Sequence, residues 1–258
     1  VTSVRRLYVL LCGFEIMRKT ISTRDLGGRF VLSEPISAYL LDTAEGWILL
    51  DAGFDRAAIA GPQNVQAFFD RTGCYPPVVG DDHLIERQLA EIGVAPNEVR
   101  KVILSHMHND HTGFLKHLPR AEVWVQRAEH EHAHAPSLPG GFSPADYRDL
   151  GLDWRLVEGD WQVMPGLRMI STRGHTPGHQ SAVVELPNTG CVVLPFDVGD
   201  LAENFADEVL PGASCDDIAA LASIRRIKAL VVEHQAQMIL FHDPTAIQSV
   251  RLAPACYD

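Results

Sequence analysis

The sequence predicts an α+β or layered α/β domain, and three features carry that expectation. Short apolar runs of strand length recur along the chain, two segments show helical periodicity instead, and several of the strand-like runs stop at a histidine or an aspartate. The 258 residues, 46% apolar and 21% charged, are enough to bury a core without disulfide staples.

In chain order, the first run is Leu7–Cys12 in "RRLYVLLCGFEIM". It is too short for a signal-peptide core and no small-residue cleavage site follows, so it reads as a buried strand. Ile36–Leu41 and Trp47–Asp51 flank "DTAEG", a hairpin turn. Further strands are expected at Val102–Leu104, Glu122–Val125, Arg168–Thr172, Ala182–Leu186, Val192–Phe196 and Met238–Phe241. Ile85, Leu89 and Ile92 in "DDHLIERQLAEIG" share one helical face. A second helix is expected from Ser214 to about Glu233, with Ser214 and Asp217 as a capping box and Ile218, Leu221 and Ile224 facing inward. Two stretches rich in Gly and Pro, Phe54–Asp81 and Ala135–Asp153, read as loops that cover a site. Without a linker, repeat or low-complexity tract, residues 1–258 are expected to form a single domain.

A formal charge of −11 repels phosphate backbones and argues against nucleic acid as a partner. No apolar stretch approaches the length of a membrane span. The cysteines, Cys12, Cys74, Cys191, Cys215 and Cys256, are odd in number and contain no C-x-x-C pair, so mostly buried free thiols and a cytoplasmic location are expected.

"SHMHNDHTG", Ser105–Gly113, crowds three histidines and an aspartate behind an apolar strand. Imidazoles this close repel one another if protonated, and a metal removes the conflict by holding them neutral. Other strands end in the same currency: "RMISTRGHTPGH" runs into His175 and His179, "CVVLPFD" into Asp197, and "QMILFHD" into His242 and Asp243. Nitrogen and oxygen donors without sulfur suit Zn2+, and also Mn, Fe or Co. They are too numerous for one tetrahedral ion; two ions sharing a carboxylate would use them.

The H-x-H-x-D-H pattern, together with "LLDAGF" at Leu49–Phe54, resembles the metallo-β-lactamase superfamily over nearly the whole chain. That resemblance implies an αββα sandwich, two mixed β-sheets flanked by helices, with the site along one edge. Carried over by position, His106, His108 and His175 would hold one ion. Asp110, His111 and His242 would hold the other, Asp197 would bridge, and Asp51 would support rather than ligate.

Within the superfamily the wording is most similar to the N-acyl-homoserine lactonases: "SHMHNDHTG", "GHTPGHQS", "NFADEVLPG" and "FHDP". The resemblance implies a dinuclear hydrolase that opens the ring of acyl-homoserine lactones or related γ-lactones, with quorum quenching as its setting. Asp110 would also pass a proton to the leaving alkoxide as a catalytic residue. Another ester, thioester, phosphodiester or β-lactam bond is the alternative substrate class. Asp200 stands where the family's lactonases generally carry a substrate-contacting tyrosine, and a carboxylate donates no hydrogen bond unless protonated.

Secondary candidates are Phe68 and Phe69 as floor of an acyl pocket, His179 as a support, and Asp243 as an orienting neighbour of a ligand. His130, His132 and His134 in "EHEHAHA" are expected on a solvated helix face.

Overall fold

The computed structural model of the chain describes residues 2–258. Its strands are β1 (Val4–Arg18), β2 (Val31–Thr43), β3 (Gly46–Leu50), β4 (Tyr75–Val78), β5 (Val99–Ile103), β6 (Glu122–Gln126), β7 (Asp153–Val157), β8 (Trp161–Met164), β9 (Leu167–Ser171), β10 (Gln180–Leu186), β11 (Gly190–Leu194) and β12 (Gln237–Met238). The helices are α1 (Lys19–Ser22), α2 (Pro62–Thr72), α3 (Ile85–Ile92), α4 (Asn109–Thr112), α5 (Arg127–Ala133), α6 (Ala202–Ala206) and α7 (Asp217–Glu233).

Two mixed sheets result. The seven-stranded sheet runs β4-β1-β2-β3-β5-β6-β7, and the five-stranded sheet β12-β11-β10-β9-β8. β1 to β3 pair antiparallel, whereas β3, β5, β6 and β7 pair parallel. Side-chain alternation explains the layering of the second sheet. Ala182, Val184, Val192 and Leu194 enter the core shared with the first sheet, while Val183 and Val193 point the other way, against Ile224 and Ile227 of α7. The expected αββα sandwich is therefore the observed architecture.

Three strands escaped the sequence reading: β4, β7 and β8, each only four or five residues long. Apolar residues continue past Met238, but only Gln237–Met238 form β12. After Ile239 donates its amide to Val193, the buried Leu240 and Phe241 carry the chain out of the ladder and deliver His242. The Phe54–Asp81 stretch is not plain loop, because "GPQNVQAFFDRTG" encodes α2. Pro62 sits in its first turn, and Gly73 at φ 70° closes it in the left-handed conformation.

The capping of α7 also differs from expectation. Asp216 is the cap, accepting from the Ala219 amide at 3.0 Å, whereas Ser214 Oγ donates to the Gly174 carbonyl at 3.2 Å. This start places Ala220, Ser223, Ile224 and Ile227 inward and leaves Ile218 86% exposed. Only glycine fits opposite Ala220: a Cβ on Gly174 would lie 2.3 Å from the Ala220 amide nitrogen. Gly174, at φ 138°, thus lets the loop before His175 lie directly on the helix.

Candidate metal centre

Each ligand candidate follows a strand end. His106 and His108 come after β5, Asp110 and His111 lie in α4, His175 follows β9, Asp197 follows β11, and His242 follows β12. The structure brings all seven together in two groups, His106, His108, His175 and Asp197, and Asp110, His111, Asp197 and His242. Within each group the candidate donor atoms lie within 4.8 Å of one another, and Asp197 belongs to both.

The short separations are informative. His108 Nδ1 lies 2.9 Å from His106 Nε2 and 3.0 Å from His175 Nε2. Asp197 Oδ2 is 3.5 Å from His106 Nε2 and 3.4 Å from His175 Nε2, while its Oδ1 is 3.4 Å from His111 Nε2. Donors about 2.0–2.1 Å from a tetrahedral ion stand about 3.3 Å apart, so these separations match the edges of such a shell. His111 Nε2 and Asp197 Oδ1 are fully buried and have no hydrogen-bond partner. Buried polar atoms are seldom left so. Orphaned donors, the N/O chemistry and the spacing together fit divalent metal.

The outer nitrogens are anchored. His175 Nδ1 donates to the Ala213 carbonyl at 2.8 Å and His242 Nδ1 to the Pro35 carbonyl at 2.9 Å, which leaves both Nε2 atoms to face the centre. Asp51, at φ 58° just beyond β3, accepts from the Ser105 amide at 2.6 Å, from Ser105 Oγ at 2.7 Å and from His111 Nδ1 at 2.7 Å. It touches no other ligand candidate and serves as the support the sequence suggested. Phe196 also holds a left-handed φ of 50°, costly for a bulky residue, and this bend presents Asp197. Packing of its ring against Tyr39 and Phe241 sustains the bend.

Charge divides the two groups. Burial pushes His106 and His175 down and His108 to about 3, so these rings are neutral and ready to ligate. His111 and His242 behave oppositely: burial opposes their charge, but Asp110 and Asp197 overcome it and hold both imidazoles well above their ordinary value.

His179 is buried and not among the grouped donors. Its Nδ1 meets Thr172 Oγ1 at 2.9 Å, and its Nε2 accepts from the Asp197 amide at 3.2 Å, a supporting role as expected. Other expectations need correction. Phe68 lines the cavity beside the centre, but Phe69 on the same helix turns outward, 45% exposed and packed on Tyr75, because adjacent helical residues point about 100° apart. Asp243 makes no side-chain hydrogen bond to a ligand candidate among the described residues. Its carboxylate accepts from the amides of Ala202, Thr245 and Ala246 and fixes the loop instead. His130 of α5 and His134, the residue that caps its C-terminal end, stack at 4.0 Å and pack edge-on against Trp154, so that face is half-buried rather than solvated. Of the cysteines, all free, only Cys12 is buried.

The sequence reading also missed contributors. Glu129, fully buried on α5, accepts from the Met107 amide and from the Gly178 amide, both at 3.0 Å, and so ties the two histidine loops together. It sits inside "EHEHAHA", where alternating histidines are the more conspicuous pattern. Glu15 and Glu34 line the cavity as well. Their one signal was a charged residue interrupting an otherwise apolar strand.

The chain matches the model of the metallo-beta-lactamase superfamily over residues 33–232, and it belongs to that superfamily. It is 31% identical over 249 residues to an N-acyl homoserine lactonase of Bacillus cereus, covering 93% of this chain and 94% of that one. To the N-acyl homoserine lactonase AiiA of Bacillus thuringiensis subsp. kurstaki it is 31% identical over 254 residues, with 98% of both covered. An N-acyl homoserine lactone hydrolase solved with the product N-hexanoyl-L-homoserine at its catalytic metal centre superposes with a TM-score of 0.89 at 31% identity, covering all of both chains. Among the described residues, no helix is long and apolar enough to cross a membrane.

Proposed function

We propose that this protein is a dinuclear metal hydrolase, most simply dizinc, that opens the lactone ring of N-acyl-homoserine lactones or related γ-lactones. The observation that carries the reading is the shared carboxylate. Asp197 faces both donor groups at the floor of a cavity of about 350 Å³, a volume suited to a ring with a short side arm. Similarity to lactonases over almost the full chain supports the same substrate class. Residues 1–258 are taken as one catalytic unit, a reading supported by a main core that draws on both sheets.

His106, His108 and His175 would hold one ion, and Asp110, His111 and His242 the other, with Asp197 between them. Two divalent ions held there supply Lewis acidity and acidify water near neutral pH. The chain's own residues do the rest. His106, His108 and His175 present neutral nitrogens, while Asp51 and the Pro35 carbonyl fix how His111 and His242 turn. Asp110 lines the cavity, with its Oδ2 3.0 Å from His111 Nε2 and 3.4 Å from His242 Nε2, and would carry a proton from the attacking water to the departing ring oxygen. Water adds to the carbonyl carbon, the ring C–O bond breaks, and a hydroxy acid leaves.

The test is hydrolysis by metal-analysed protein, followed by pH-stat without a chromogenic label. The panel holds butanoyl- to dodecanoyl-homoserine lactones, γ-butyrolactone, a thioester and nitrocefin. Two metals per chain with lactones opened fastest are expected. Two metals with every lactone untouched would sink the reading.

A further inference from the structure

The cavity beside the metal centre carries three carboxylates that the proposed hydrolysis does not use: Glu15, Glu34 and Asp200. Glu15 and Glu34 are direct partners on β1 and β2, 6% and 1% exposed, and like charges opposite one another on paired strands are destabilising. Glu34 accepts from Ser22 Oγ at 2.6 Å, whereas Glu15 makes no side-chain hydrogen bond among the described residues. Asp200 is 7% exposed, and its Oδ1 is buried without any partner. No lysine or arginine lines the cavity among the described residues; nearby Lys19 is spent on Glu203 at 2.6 Å.

Carboxyl groups buried around one space either take up protons or hold their charge against a cation that they share. When ionised, these three carboxylates together with Asp110 and Asp197 carry more negative charge than two divalent ions would balance. Burial favours the protonated form of Glu15, Glu34 and Asp200, and an ammonium group placed among them would draw them to the carboxylate form. Met17, Ile21 and Phe68 give the same cavity apolar wall on which an alkyl arm can lie.

We propose that Glu15, Glu34 and Asp200 form a cation subsite of the substrate pocket, so that the preferred lactone carries a primary ammonium group on its side arm rather than a neutral acyl chain. This rests on the lactone reading above and narrows its substrate class. It also gives Asp200 a task that a tyrosine could not perform, because a phenol offers no full negative charge near neutral pH.

The decisive experiment compares isosteric pairs on the metal-loaded protein. N-(6-aminohexanoyl)-homoserine lactone is set against N-heptanoyl-homoserine lactone, and N-(4-aminobutanoyl)- against N-pentanoyl-homoserine lactone, in the wild type and in the Glu15→Gln/Glu34→Gln double variant. Calorimetric titration with hexylammonium, hexan-1-ol and Mg2+ runs alongside. The expected result is a kcat/KM preference of at least about tenfold for one ammonium substrate over its neutral partner, residing in KM and lost in the double variant. Hexylammonium should bind the wild type alone, and hexan-1-ol neither protein. Removing the facing charges should also raise Tm; if the double variant does not fold, Asp200→Asn takes its place. Neutral lactones opened as well as or better than their ammonium partners would overturn the subsite and leave the lactonase reading standing. Hexylammonium binding that vanishes in the variant, with neither type of lactone opened, would keep the subsite and sink the lactone reading. A Mg2+ ion bound through these carboxylates, with no hexylammonium binding, would overturn the organic cation.

Discussion

Asp51 Oδ2 accepts the Nδ1 proton of His111 at 2.7 Å while Asp51 Oδ1 accepts the Ser105 amide at 2.6 Å, so one buried carboxylate fixes the ring of a ligand candidate and the strand end that carries its neighbours. An asparagine here would keep one acceptor and turn an N–H2 toward a donor. Asp51→Asn is expected to weaken metal affinity by about 10–100-fold, the usual effect of losing such a support. Competition with a chromogenic chelator measures it, and an unchanged affinity would remove Asp51 from the site.

Glu129 is the corresponding brace between the loops of Met107 and Gly178. Glu129→Gln leaves one of those buried amides facing another donor. A stability loss of about 1–3 kcal/mol is expected in urea unfolding of the metal-loaded protein. A loss confined to activity, with stability unchanged, would point instead to direct participation in the chemistry.

Asp146 titrates where stability can be followed. Burial raises its carboxyl from 3.8 to about 6, and Thr112 Oγ1, in α4, donates to it at 3.3 Å. The folded state therefore holds a proton that the unfolded state releases, so stability falls as pH climbs from about 4 to about 6. Asp146→Asn removes that dependence. At pH 8 the variant should be the more stable by up to about 3 kcal/mol, with the difference fading toward pH 4. Urea titrations at the two pH values decide; a constant difference would show that Asp146 does not cause the slope.

Phe68 and Phe69 give a paired control on the cavity. Phe68→Leu should raise KM more for arms long enough to reach it than for γ-butyrolactone, by up to about tenfold, because apolar contact is lost. Phe69→Leu changes an outward ring and should move neither KM. An equal effect from both would place the wall of the pocket elsewhere.

Chelation links metal to the charges on His111 and His242. Asp110 and Asp197 favour a proton on each imidazole, and a bound metal would take the place of those protons. Metal affinity should fall as pH is lowered, and calorimetry in buffers of different ionisation enthalpy should register proton release. Uptake without proton release would contradict that picture.

The sequence alone made the candidate donor residues and the layered class legible. H-x-H-x-D-H is a local pattern, and apolar runs that stop at His175, Asp197 and His242 can be read one residue at a time. Strand identity followed wherever β-branched and apolar residues ran long enough. β4, β7 and β8 were too short to give a period, and the start of α7 depended on how closely Ala220 approaches Gly174. Tertiary structure decided the rest, because its causes lie far apart in the chain. Glu129 matters through amides 22 and 49 residues away, and Phe68 differs from Phe69 only by which one the cavity meets. Glu15, Glu34 and Asp200 look unremarkable in a row of letters. Only the pairing of β1 with β2, and the turn after Asp197, set them around one space, far from where their order in the chain would place them.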